Sequence, residues 1–190
     1  YDTIATDMIK AGHALDGLLR PGSRILEYGA GTGESVYRAG VEHPDCSVAG
    51  VDVHTAYDSV WKGAETTLGR TFHPTNIEFH NMGSTSGVHA ITTEQPENID
   101  RGFLQPAKFD FIFTWCVFEH VDISILDATL RDLYLTLKQD GLMYLKINPL
   151  FFSPRGAHLS GFLPQPWAHL LYGHDALRSM FYKAVDGNTY

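Results

Sequence analysis

The chain has 190 residues, 44% of them hydrophobic and 19% charged, with a formal net charge of −8 at pH 7. That composition fits one globular domain long enough to bury a substantial core. An acidic total without a Lys/Arg cluster argues against a nucleic-acid partner, which needs a basic footprint to displace counterions, and no run of about 18 apolar residues is present to span a membrane.

Ile4, Met8, Ala11, Leu15 and Leu18 recur at helical spacing, so residues 3–19 read as an amphipathic helix. Pro21-Gly22-Ser23 ends it and leads into a first strand at 24–28. A helix follows at about 34–39, a second strand at 47–52, a helix at about 55–68 and a short third strand at 77–79. Residues 83–107 are polar and rich in Gly, Ser, Thr and Pro, a long excursion with one helical turn near 97–104. The aromatic and branched run at 109–114 reads as a fourth strand. The helix at 124–139 has Ser124 as its cap, Leu126, Leu130, Leu133 and Leu137 along one face, and Gly141 to close it. A fifth strand follows at 142–147, then an aromatic, proline-rich stretch and a helix near 175–184. Strands alternating with helices predict a doubly wound, mostly parallel α/β sheet covered on both faces.

Cys46 and Cys116 form no C-x-x-C pair, which points to a reduced, cytoplasmic setting. The ten histidines show neither H-x-x-x-H nor H-E-x-x-H spacing, so no metal is expected. The chain starts at Tyr1, without an initiator methionine or a signal sequence, and is read as a piece of a longer one.

The richest chemistry lies in Ile25-Leu26-Glu27-Tyr28-Gly29-Ala30-Gly31-Thr32-Gly33-Glu34. An apolar strand reaches a carboxylate and then turns through three glycines into a helix. Glycine lets a ligand lie against bare backbone. A pyrophosphate site would want G-x-G-x-x-G, which requires glycine where Glu34 stands. With Glu27 just upstream, the turn suits a cationic nucleoside better. A second acid, Asp52, closes the second strand 25 positions after Glu27, the βαβ distance at which a carboxylate binds ribose hydroxyls.

Glu27, the glycine turn and Asp52 together resemble the class I S-adenosylmethionine-dependent methyltransferases, and Phe118-Glu119-His120-Val121 resembles the Glu-His-Val run after the fourth strand of many members acting on small molecules. The resemblance covers roughly residues 1–149. It implies a single methyltransferase domain over 1–190, with a donor-binding core at 1–149, an insertion at 83–107 and an acceptor-binding or lid segment at 150–190. The antiparallel strands that usually finish the fold are expected beyond Tyr190, the alternative being that this protein replaces them. The donor, S-adenosylmethionine, with S-adenosylhomocysteine as product, would meet Glu27, Tyr28, Gly29, Ala30, Gly31, Gly33, Asp52, Val53, Asn81, Met82, Trp115 and Cys116. Asn81 departs from the acidic residue usual in the family at that place.

The tail from Asn148 to His158 follows the fifth strand, and with Pro164 to His169 it offers an aromatic wall. Glu119, Phe152, Arg155 and Trp167 are the acceptor-side candidates, and His158, then His120, are candidate general bases for a hydroxyl acceptor. The expected activity is methyl transfer to a small molecule such as a sugar, lipid precursor or secondary metabolite. The competing readings are a nicotinamide-dependent oxidoreductase and a binding module without catalysis.

Overall fold

The computed structural model describes residues 19–53, 74–81, 105–156 and 163–187. The helices expected at 3–19 and 55–68 and nearly all of the excursion at 83–107 lie outside these residues. Five strands form one sheet: β1 Arg24–Tyr28, β2 Ser47–Asp52, β3 Ile77–Asn81, β4 Phe109–Trp115 and β5 Leu137–Lys146. Their order is β3-β2-β1-β4-β5, and all four neighbouring pairs run parallel. The chain starts in the middle, steps outward to β3, and resumes at β4 on the other side of β1. That reversal between β1 and β4 is the switch point at which open parallel sheets bind ligands, outside the carboxyl ends of the strands.

Helix α1 (Glu34–Glu42) follows β1, and α2 (Ile123–Thr136) precedes β5. The pleat sends alternate side chains to opposite faces. Ile25, Val48, Phe111 and Phe113 pack on one face with Val36 and Ala39 of α1. Leu26, Tyr28, Ala49, Val51 and Ile112 pack on the other with Leu133 of α2. Helices therefore cover both faces, as the doubly wound reading requires. Among the described residues, no helix is long and apolar enough to cross a membrane.

Strands β1 and β2 have the bounds expected from sequence, whereas the region around α2 differs. Its N-cap is Asp122 rather than Ser124: the Asp122 carboxylate accepts the Ser124 amide at 2.8 Å. Hydrogen bonds from the Ser124 hydroxyl and amide hold the Asp122 carboxyl below its usual range. The buried face runs through Ile125, Thr129, Leu133 and Thr136, with Leu126 and Leu130 at its border. The helix stops at Thr136 instead of residue 139, because its last carbonyls are already taken. Leu135 and Thr136 accept the amides of Ala107 and Lys108 at 3.0 and 2.8 Å, and Leu137 turns extended to pair with Phe109. Gly141 lies within β5 rather than closing the helix. The β4–β5 register shifts between the Phe109–Leu137 and Phe111–Leu142 pairs, and a Cβ at 141 would stand 3.0 Å from the Asp110 carbonyl oxygen. Glycine marks the bulge there.

Two side chains outside the apolar core fix the sheet's amino edge. The Asn76 amide nitrogen donates to the carbonyls of Gly40, His43 and Cys46 at 3.0, 3.2 and 2.8 Å, tying the end of α1 to the start of β2. Asn76→Ala is expected to lower stability by about 1–3 kcal/mol, because it leaves those carbonyls short of a donor; chemical denaturation would measure it. Asp110 accepts the Arg24 amide and the Lys138 ammonium, each at 2.8 Å. Burial raises its pKa, but Lys138 and the Arg24 amide outweigh burial and hold the carboxyl low.

Contacts divide the chain into two compact units, residues 1–146 and 147–190. The second contains helices α3 (Ala168–Leu171) and α4 (His174–Gly187).

Candidate active site

The carboxyl edge of the sheet ends in Tyr28, Asp52, Asn81, Trp115 and Lys146. The glycine turn rises from the first of these. Gly29, Gly31 and Gly33 all have positive φ, at 82, 52 and 73°. The turn folds back onto the end of β2: the amides of Gly29 and Ala30 donate to the Val51 carbonyl at 2.8 and 3.0 Å, and Gly31 donates to Asp52 Oδ2 at 2.7 Å. Asp52, 8% exposed, thus holds the turn as well as standing at the ligand edge. Gly33 is the N-cap of α1 and supplies no side-chain cap.

Glu27 takes over that capping role from the neighbouring strand. Its carboxylate accepts the Ser35 hydroxyl and the Val36 amide in the first turn of α1. The group is 2% exposed, and its Oε2 has no hydrogen-bond partner among the described residues. Burial, reinforced by the charge of Asp52, pushes its pKa well above the usual carboxylate range in spite of the Ser35 and Val36 bonds. A buried acid in this condition holds its proton, or gives it up when a cation or donor comes against it.

The other described donor candidates lie at the carboxyl ends of β1, β2, β3 and β4 or just after them. The Tyr28 side chain turns into the core, where it stacks on Phe118 and is bonded to Thr129, so at the edge Tyr28 offers backbone. Burial raises its phenol pKa. Ala30 is buried under the turn and Val53 is half-buried just after β2. Asn81 pairs with Asp52 across β2 and β3; Met82 lies outside the described residues. Trp115 ends β4 half-buried, and Cys116 follows with φ 54° and its amide bonded to the Lys146 carbonyl at 2.9 Å.

After Cys116 the chain makes a short 3-10 turn, Phe118–His120, which holds Glu119 half-buried and His120 exposed. Val117, at its cap, lies against the glycine turn: a Cβ on Gly29 would stand 2.2 Å from Val117 Cγ2. This contact, for which the sequence gives no signal, fixes the post-β4 run beside the glycine turn.

The second unit joins the two tail clusters. Trp167 donates its indole N–H to the Phe152 carbonyl at 3.1 Å, and the His169 ring bonds the Phe151 carbonyl. Phe152 is 78% exposed and Trp167 44%, and Arg155 is exposed. His158 lies outside the described residues. Among the described residues, no group of three or more His, Cys, Asp or Glu could hold a metal ion.

A sequence profile of the methyltransferase-domain family matches residues 3–182. No curated protein sequence matches the chain. Several solved structures share its fold. The YcgJ protein of Bacillus subtilis superposes with a TM-score of 0.54 at 19% identity, over 97% of this chain and 68% of its own length. PKMT2 of Rickettsia typhi, in complex with AdoHcy, gives 0.51 at 17% identity, over 90% of this chain and 29% of its own. Phosphoethanolamine N-methyltransferase 2 of Haemonchus contortus, in complex with phosphomonomethylethanolamine and S-adenosylhomocysteine, gives 0.50 at 17% identity, over 94% of this chain and 36% of its own. The chain therefore spans about a third or less of the length of the last two. With the family profile over nearly the whole sequence, on a parallel sheet whose central strand leads into a glycine turn between two buried acids, the chain belongs to the class I S-adenosylmethionine-dependent methyltransferase family.

Proposed function

We propose that this chain is the catalytic domain of a methyltransferase that moves a methyl group from S-adenosylmethionine to a hydroxyl of a small molecule. The observation that carries the reading is Glu27: a buried carboxylate with one oxygen lacking a partner among the described residues, beside Asp52, under a turn of bare glycine backbone. A cationic nucleoside fits that arrangement, since its positive charge relieves the repulsion between the acids and its ribose hydroxyls suit Asp52. Among the described residues nothing lies within 4 Å of a Cβ built on Gly31, which leaves room for a ligand directly over the backbone.

On this reading Glu27, Asp52 and the backbone from Tyr28 to Gly33 hold the donor, with Val53, Asn81, Met82, Trp115 and Cys116 around it. When bound, the donor supplies a methyl already activated by positive sulfur. The protein's part is then alignment, exclusion of water and care of one proton. The acceptor hydroxyl loses its proton to a histidine, His158 or His120, and Glu119, Phe152, Arg155 and Trp167 contact the acceptor. That the Haemonchus N-methyltransferase is found in complex with phosphomonomethylethanolamine, a small molecule, supports the small-molecule reading.

Donor carrying a labelled methyl, incubated with panels of hydroxyl and amine acceptors, tests the proposal. Label is expected on a hydroxyl compound, and His158→Ala or His120→Ala is expected to slow transfer by about 10²-fold or more. Label on amines alone, or unchanged rates in both variants, would remove the hydroxyl and its base.

A further inference from the structure

Lys146 is the cationic side chain among the last residues of the five strands, and no part of the reading so far uses it. It ends β5 directly opposite Trp115 at the end of β4. Its ammonium lies over the Trp115 ring, 3.5 Å from the centroid. The Cys116 amide donates to the Lys146 carbonyl at 2.9 Å, so the two strand ends are also tied through backbone. An ammonium held over an indole face is restrained to a small volume.

The sheet order gives that position meaning. Asp52 and Glu27 stand on β2 and β1, while Lys146 stands on β5, beyond β4 on the opposite side of the switch point. Two strand spacings, about 10 Å, separate the ends of β1 and β5, and a lysine side chain spans much of that distance. The edge is therefore polarised, negative under the β1–β2 half and positive at the β5 end. Adenosylmethionine is polarised too. Its ribose and sulfonium match the acids, but its amino-acid end carries a carboxylate that Glu27 and Asp52 would repel.

We infer that Lys146, seated on Trp115, is a positioning residue that receives the donor's carboxylate and so sets the direction in which the donor lies across the switch point. The inference rests on the donor reading above. Trp115 acts by holding the ammonium, and the polarity of the edge selects one orientation of an elongated ligand.

Calorimetric titration without any acceptor tests it, comparing S-adenosylmethionine with its decarboxylated analogue, which keeps the ribose, sulfonium and ammonium. Lys146→Gln is expected to weaken adenosylmethionine binding about tenfold or more, to leave the analogue within about twofold, and Lys146→Arg is expected to restore most of the loss. If Lys146→Gln changes neither ligand, or weakens both equally, the inference falls. Wild-type protein that binds neither ligand would instead overturn the donor reading itself.

Discussion

Alanine at position 29 is expected to destabilise the protein by about 2–5 kcal/mol, read as a drop in the midpoint of chemical unfolding. Two costs add. The backbone sits at φ 82°, in the left-handed region, where a side chain costs about 1–2 kcal/mol. The new Cβ would also overlap Val117, whose two γ carbons lie 2.2 and 2.9 Å from it, and forced repacking costs about 1–3 kcal/mol more. Adding Val117→Ala should recover about 1 kcal/mol or more by removing the overlap, while the backbone cost stays. Gly31→Ala makes the contrast. Its φ of 52° is again left-handed, but a Cβ there meets nothing within 4 Å among the described residues. It should cost only about 1–2 kcal/mol of stability and yet weaken donor binding about tenfold or more, because the methyl would occupy the space over the turn. On the proposed reading, Gly29 is glycine for the protein's own packing and Gly31 for a ligand. Equal stability losses in the two variants would contradict that division.

Glu27→Gln should stabilise the unliganded protein while weakening its function. The carboxyl's pKa is raised in the folded state by burial and by Asp52, so its contribution to stability is greatest below the ordinary carboxylate range and is lost as pH rises through the folded value. The unliganded wild type is therefore expected to lose stability toward alkaline pH. The glutamine variant should lack that component and be more stable than wild type at pH 8 by about 1–2 kcal/mol. It keeps an oxygen to accept from Ser35 and Val36, so the start of α1 stays capped. Adenosylmethionine should bind the variant about tenfold or more weakly, as the buried negative charge is gone. Proton release should accompany donor binding to wild type, seen as a binding enthalpy that depends on the buffer's ionisation heat, and the variant should not show it. A variant less stable at pH 8 with unchanged affinity would contradict the assignment of Glu27.

Much of this was legible in the sequence because short-range signals and topology agree. The bounds of β1 and β2 follow from apolar runs closed by turn chemistry, Pro21-Gly22 before one and the glycines after it. Glu27 and Asp52 were found because a parallel strand delivers its last residues to the ligand edge whatever the details of packing. What sequence could not supply were contacts between segments distant in the chain. The end of α2 was misread because the amides that stop it come from Ala107 and Lys108, ahead of β4. Gly141 resembled a helix terminator because its real neighbour, the Asp110 carbonyl, is on another strand. Asn76 gave no sign of its three carbonyl partners. Lys146 read as one position inside a strand at 142–147, and its place at the strand end, over Trp115, comes from the register of β4 and β5. The capping of α1 by Glu27 belongs to the same class, since the carboxylate precedes the helix by a full turn of glycines.

The most direct test of the central claim is calorimetric titration of wild-type protein and Asp52→Asn with S-adenosylmethionine, S-adenosylhomocysteine and a nicotinamide dinucleotide. Both adenosyl compounds should bind the wild type with micromolar affinity, the dinucleotide should not bind, and Asp52→Asn should weaken both adenosyl compounds about tenfold or more. Binding of the dinucleotide in their place, or no heat from either adenosyl compound at millimolar concentration, would contradict the account.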